Sequence, residues 1–537
     1  MRFSKQHIGL VVLSLLLFVP FLGSVHLFDW DEINFAESAR EMIMTGDYFR
    51  VRVNYEPFWE KPPLFFWLQA ASMHLFGIGE FAARFPNAIC GVVTLLVLFS
   101  IGRKHRSERF AWIWVLLYAG SFLPHLYFKS GIIDPWFNLF IFLSVYEVYL
   151  GMKAGATRTA KHFALAGTAS GLAVLTKGPV GLLLLLLTCA VWLVFTRFKV
   201  LPKVKQLLAF GVPFTVVCSL WFGAETIQNG PWFLVEFIAY QVDLFLHPVA
   251  GHKQPFFYHF VVVLIGCFPL SVLALPAFSK SYTSHSDGFD NWMKYLFWVV
   301  LILFSIVTTK IVHYSSMTYI PLSFLAAAVV DRIIASNQSL ATWQRWWLLI
   351  QGLIISLALT ALPILSFMKD RLVEHINDPF AVKNIEAMDS FLGWEWVIGV
   401  AYATILIVSV WRYRNQLSKG IVILCLGTAL TIFSTMVVVV PVIESASQRS
   451  AISFFESVSK EDAHIATYGY KSYAHFFYGD LKPENALPDM GKNLNAATKP
   501  IYVSVIHKKR AEFEERFPQA TLLSEKGGFG FYLVPNP

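Results

Sequence analysis

Phe28-Asp29-Trp30-Asp31-Glu32 sets three carboxylates within four residues, directly after an apolar run over residues 7–28. The segment that follows, Ile33-Asn34-Phe35-Ala36-Glu37-Ser38-Ala39-Arg40-Glu41, has an amphipathic pattern. Charges at the edge of a membrane are costly to keep without a task. The step therefore reads as a reactive rim at a membrane boundary, with Asp31 at its centre.

Composition makes the membrane reading secure. Of 537 residues, 56% are hydrophobic, 16% aromatic and only 15% charged, and the mean hydropathy is +0.55. Soluble domains carry about a quarter charged residues. About thirteen apolar runs of spanning length precede residue 441. The fold class expected is a polytopic α-helical membrane protein: residues 1–441 form the transmembrane domain, with a first outer loop at 29–80, and 442–537 form a small soluble α/β domain. Cys90, Cys189, Cys218, Cys267 and Cys425 all lie in apolar runs, which suggests packing and not a disulfide framework or a metal cage. The run over 7–28 lacks a small-x-small cleavage site and reads as a retained first helix.

The net charge of +8 is unevenly placed. With the N-terminus cytoplasmic, alternate connections carry the basic clusters Arg103-Lys104, Arg158 with Lys161, Lys203 with Lys205, and Arg412 with Arg414. That is the positive-inside pattern, and it accounts for the basic tracts without nucleic acid. An odd number of spans then puts the C-terminal domain outside.

Residues 33–44 fit a helix lying in the interface. Phe58-Trp59-Glu60-Lys61-Pro62-Pro63 opens another apolar helix, since Pro is favourable in a first turn. Spans are expected at about 81–102, 110–128, 131–150, 162–176, 179–196, 207–224, 256–278, 292–308, 313–330, 343–367, 394–411 and 421–441. A long outer loop at 225–255 holds Asp243, His247 and His252, and its length points to binding. In the tail, helices at 449–459 and 508–516 and strands at 465–468, 501–506 and 529–534 make a small α/β unit.

Topology drawn from basic loops alone brings Asp29, Asp31, Glu60, Lys61, Asp134, Lys177, Asp243, His247, His252, Lys310 and His313 to one side. An outward cavity lined by carboxylates, lysines and histidines suits an anionic lipid. Each residue also has a plainer role. Asp31 and Asp134 could cap helices, Asp29, Glu32 and Glu60 could merely solvate helix ends, and Lys61 and Lys177 could snorkel. The histidines are too widely spaced for a helical metal motif. No cofactor is called for, and a divalent metal stays open with no ligand motif to hold one. Gly-rich phosphate loops and a nucleotide-sugar signature are absent.

At these residues the chain resembles the GT-C type membrane glycosyltransferases, above all the bacterial branch of the aminoarabinose (lipid A) transferases and the related protein O-mannosyltransferases. The resemblance rests on Asp31-Glu32 with Ala36-Glu37 and Ala39-Arg40-Glu41; Glu60-Lys61-Pro62-Pro63-Leu64; Gly79-Glu80 with Ala83-Arg84-Phe85-Pro86; Asp134; Thr176-Lys177-Gly178-Pro179; and His247-Pro248 with Gly251-His252, Pro255-Phe256 and Tyr258. It implies transfer of a sugar from a polyprenyl-phosphate carrier, undecaprenyl phosphate, to a lipid, glycan or protein acceptor at the periplasmic face of the inner membrane, with inversion. Carried over by position, Asp31 is the catalytic carboxylate, Glu60 and Asp134 are cavity carboxylates, Lys61 binds the carrier phosphate and His252 lies in the substrate loop. Lys177, Lys310 and His313 join as lipid-phosphate ligands, with Asp29, Asp243 and His247 auxiliary. Two departures stand out: Asp29 offers a second carboxylate beside Asp31, and Lys310-Ile311-Val312-His313-Tyr314 matches the family's outer loop only loosely. The rival readings are a transporter or flippase for an anionic lipid, without the expected internal repeats, and a noncatalytic lipid-binding scaffold.

Overall fold

The computed structural model describes residues 5–153, 158–246, 254–279, 282, 288–412 and 414–535. Among them, five unbroken helices are long and apolar enough to cross a membrane, and up to eight spans result if each of three bent pairs counts as one. Lys5–Phe18, Leu64–Phe76, Val180–Phe195 and Trp396–Arg412 are apolar but shorter. Some of the expected runs are bent or split, because a hydropathy run does not show where a helix turns. Glu108–Ala119 meets Phe122–Lys129 at 82°, and Tyr258–Gly266 meets Leu270–Phe278 at 104°. At the first bend Gly120 lies so close to Cys425 that an added Cβ would sit 2.5 Å from its side chain, so the chain needs glycine to turn there.

The helix Asp31–Thr45 forms as expected. Every residue from Glu32 to Met42 is buried. Its polar face is covered by the C-terminal domain, and one apolar core joins Ile33, Phe35 and Phe66 to Ile452, Phe476 and Phe531. Arg40 holds both oxygens of Glu37 at 2.8 Å and reaches Asp480 at 3.1 Å and the Leu481 carbonyl at 2.7 Å. A buried guanidinium is tolerated when its donors are matched in this way.

The short hairpin β1 (Arg52–Val53) and β2 (Glu56–Pro57) turns through Asn54 and Tyr55, both with φ near +60°. That left-handed turn matches the twist of paired strands. Its tip is fastened to the C-terminal domain through Asn54 to the Leu487 carbonyl and the Tyr55 hydroxyl to the Leu481 carbonyl, each at 2.7 Å.

The C-terminal sheet has the order β3 (His464–Tyr468), β4 (Ile501–Ile506), β6 (Phe529–Val534), β5 (Thr521–Lys526), with β3 and β4 parallel and the other pairs antiparallel. Strand β5 escapes the sequence pattern because all six of its residues are exposed. An edge strand with no buried face shows no alternation.

Candidate active site

The three carboxylates of the acidic step have three different destinations. Glu32 is wholly structural: Arg84 forks onto its two oxygens at 3.0 and 2.8 Å, and the carboxylate also accepts from the Phe28 N–H at 2.9 Å. Burial opposes the charge, yet Arg84 and these backbone donors hold the Glu32 carboxyl below its ordinary range. The same guanidinium donates to the carbonyls of Leu22, Val25 and His26. Arg84 thereby fastens the approach to the acidic step onto the helix Glu80–His105. Asp29 turns to the C-terminal domain, where both its oxygens face the Tyr473 N–H at 3.2 and 3.3 Å.

Asp31 takes a third direction. It opens its helix, but Trp30 is the N-cap and no side-chain cap bond is made. Its carboxylate is 41% exposed and lies 3.4 Å from His313 Nε2. Asp134 likewise begins a helix without capping it; it is buried, and its Oδ1 takes the Lys177 ammonium at 2.6 Å. The Ser316 hydroxyl approaches the same oxygen at 3.4 Å, and His313 Nε2 lies 4.0 Å from Oδ2. Lys177 is aimed by the end of its helix: Gly178 follows with φ +95°, a left-handed conformation that favours glycine. Its ammonium lies over the rings of Tyr314 and Phe137 at 5.2 and 5.6 Å.

Lys61, Asp134 and Lys177 line one end of a cavity of about 490 Å³, whose other walls are mainly apolar, including Leu183, Ile238, Leu303, Phe304 and Met317. Lys61 is within electrostatic reach of Glu60, Asp31, Lys177 and Asp134, while burial lowers its ammonium from the ordinary lysine range. This arrangement can hold an anionic head beside two ammonium groups and a long apolar tail behind it.

Glu60, the preceding residue, lines a second cavity of about 420 Å³ instead. That space lies between the hairpin strand β2, the helix Trp232–Leu246 and the C-terminal domain, which supplies Lys471, Tyr473 and Lys492. The Tyr240 hydroxyl donates to Glu60; burial first, and this carboxylate with it, push the phenol up. The Glu60 carbonyl accepts from Gln241 at 3.2 Å.

Lys310 does not join the site. Its buried ammonium is turned onto the Val307 carbonyl at 2.6 Å, at the end of the preceding helix. Asp243 is exposed on the helix Trp232–Leu246 and lines neither cavity, whereas its neighbours Gln241 and Val242 do. The expected loop at 225–255 is thus helical over much of its length, with Phe222–Asn229 and Trp232–Leu246. His247 and His252 lie outside the described residues. Sequence reading also missed Asn138, Tyr314 and Gln241 as lining residues. Asn138 was within reach, since it lies one helical turn after Asp134 and therefore on the same face.

Comparison with known proteins agrees with this geometry. The dolichyl-phosphate-mannose-protein mannosyltransferase family matches residues 60–222. The undecaprenyl phosphate-alpha-4-amino-4-deoxy-L-arabinose arabinosyl transferase of Edwardsiella ictaluri is 30% identical over 338 residues, 61% of this chain and 60% of that protein. The protein of the same name from Pectobacterium carotovorum is 26% identical over 75% of this chain and 71% of its own length. In three dimensions the chain is similar to ArnT from Cupriavidus metallidurans bound to undecaprenyl phosphate, with a TM-score of 0.77, 18% identity and coverage of 98% and 97% of the two chains. By sequence the chain is similar to the aminoarabinose transferases and, over residues 60–222, to the dolichyl-phosphate-mannose-protein mannosyltransferase family, and it spans about three fifths of the length of the first of these relatives.

Proposed function

We propose that this protein transfers a sugar from undecaprenyl phosphate, or a like polyprenyl phosphate, to a lipid, glycan or protein acceptor, with inversion, at the periplasmic face of the inner membrane. The observation that carries the reading is the cavity whose polar end joins Lys61, Lys177 and Asp134 and whose remaining walls are mainly apolar. A polyprenyl phosphate has that division of character.

The acceptor oxygen attacks the anomeric carbon as the bond from that carbon to the phosphate oxygen breaks. The bonding electrons stay on the phosphate, where Lys61 and Lys177 offset the growing charge. For a hydroxyl acceptor, Asp31 takes the proton, its exposure leaving it open to the incoming group. For an acceptor that is already anionic, Asp31 instead stabilises positive charge on the sugar ring. Asp134 keeps Lys177 in place through their ion pair. No cofactor enters the scheme.

The similar enzymes are named for a 4-amino-4-deoxy-L-arabinose carrier. An amino sugar is also the sugar proposed here. Its ammonium suits the second cavity, where three carboxylates, Glu56, Glu60 and Glu236, outnumber the ammonium groups of Lys471 and Lys492 and stand among the rings of Trp59, Tyr240 and Tyr473, which also favour a cation.

Mass spectrometry of the glycolipid that copurifies with an Asp31→Asn variant tests the reading, followed by transfer from that lipid in proteoliposomes. A polyprenyl-phosphate amino sugar is expected, with wild-type turnover and loss of about 10²–10⁴-fold in the variant. Movement of the lipid across the bilayer with no new glycosidic bond would refute it.

A further inference from the structure

The segment from Leu27 to Glu32 is gripped from two sides. On one side are Arg84 and the Gly131 N–H, which bind Glu32 and the carbonyls just before the segment. On the other is the C-terminal domain. The Leu27 N–H donates to the Tyr478 hydroxyl at 2.7 Å, and its carbonyl accepts from Gln448 at 2.6 Å. Gln448 also accepts from the Asp29 N–H at 3.3 Å, and the Trp30 indole donates to the Lys471 carbonyl at 3.0 Å.

The Asp29 carboxylate completes this set. Both its oxygens are directed at the Tyr473 N–H and Ser472 adds a side-chain hydrogen bond, so the carboxylate is turned to the C-terminal domain. Asp31 is turned the other way, 3.4 Å from His313 Nε2, which in turn lies 4.0 Å from Asp134. We propose that Asp29 is a positioning residue, the latch through which the C-terminal domain fixes the backbone that aims Asp31.

The inference rests on the glycosyltransferase reading and assigns the domain a part in it. Lys471, Ser472 and Tyr473 both hold Asp29-Trp30 and line the second cavity. A displacement of about 1 Å at a reacting group can cost about 10²-fold in rate, so a latch two residues from Asp31 acts on turnover.

Three variants test it in proteoliposomes supplied with the copurified donor. Asp29→Asn retains an oxygen that accepts from the Tyr473 N–H and is expected to keep kcat within about threefold of wild type. Asp29→Ala lacks that oxygen and is expected to lose about 30–100-fold in kcat, with donor KM within about twofold, the pattern of a lost transition-state alignment. Gln448→Ala, on the domain side, is expected to lose kcat about tenfold with the same unchanged KM, and it carries the test if Asp29→Ala does not fold. An Asp29→Asn variant as inactive as Asp29→Ala would overturn the latch and make Asp29 a base, while leaving glycosyl transfer intact. A wild-type protein that binds donor but forms no glycosidic bond would instead overturn the reading beneath it.

Discussion

His313 stands between two carboxylates, its Nε2 3.4 Å from Asp31 and 4.0 Å from Asp134. One imidazole therefore links the exposed carboxylate to the buried one, and through Asp134 to Lys177. His313→Ala should leave the donor-binding lysines in place but loosen Asp31. Its kcat is expected to fall about 10–100-fold with donor KM nearly unchanged, as read from initial rates over a range of donor concentrations.

In the Lys177–Asp134 pair the carboxylate is buried and the lysine largely covered, with side-chain exposures of 3% and 14%. Breaking such a pair from one side strands a charge and costs about 3–5 kcal/mol. Lys177→Met should thus melt at a lower temperature than the double variant Lys177→Met/Asp134→Asn, although both lose transfer. Thermal unfolding in detergent checks this order, and a double variant less stable than Lys177→Met would contradict the pairing.

Lys61 and Lys177 both line the first cavity, and on the proposed reading they offset the charge of the carrier phosphate. Lys61→Ala is expected to reduce kcat about 10²–10³-fold, with Lys61→Arg recovering part of the loss. Because two ammonium groups carry this task, turnover is predicted to survive chelation by excess EDTA. Loss of activity on chelation, restored by one divalent ion, would show that a metal shares it.

Arg84 makes five hydrogen bonds from one fork, two to Glu32 and three to backbone carbonyls. A lysine at this position cannot match that geometry. Arg84→Lys is expected to cost about 3 kcal/mol of stability and to impair turnover at temperatures where the variant is still folded. Far-UV circular dichroism during heating and a parallel transfer assay separate the two effects.

Glu41 lies in the helix beside Glu37, and burial together with the Glu37 charge pushes its carboxyl well above the ordinary glutamate range. The folded protein therefore holds a proton that the unfolded chain has released, and stability declines as pH rises from the ordinary glutamate range through neutrality. Glu41→Gln keeps an oxygen for the Tyr55 N–H, which Glu41 now holds at 2.9 Å. The variant is expected to flatten the decline and to melt higher than wild type at pH 8, with the gap closing toward pH 4. A wild-type melting temperature that does not change over that range would contradict the assignment.

Much of the site was legible because its members sit at chain landmarks. Asp31, Lys61, Asp134 and Lys177 fall at helix ends next to apolar runs, where hydropathy and Pro or Gly mark them. Their partners were not legible. Nothing local distinguishes Asp29 from Glu32, since one is claimed by Tyr473 and the other by Arg84, residues 444 and 52 positions away. Lys310 failed for the opposite reason: its position relative to the bilayer was read, but the nearby Val307 carbonyl takes its charge. The helix Trp232–Leu246 was hidden because the long connection was judged by its length and taken as a loop throughout. The cover that the C-terminal domain gives the helix Asp31–Thr45 was not legible, because it comes from residues more than 400 positions away.

Glu60 and Lys61 are neighbours in sequence, yet one borders the polar cavity beneath the C-terminal domain and the other the cavity walled mainly by apolar residues. The two cavities thus share one stretch of backbone, and a shift of that peptide would move a wall of both at once.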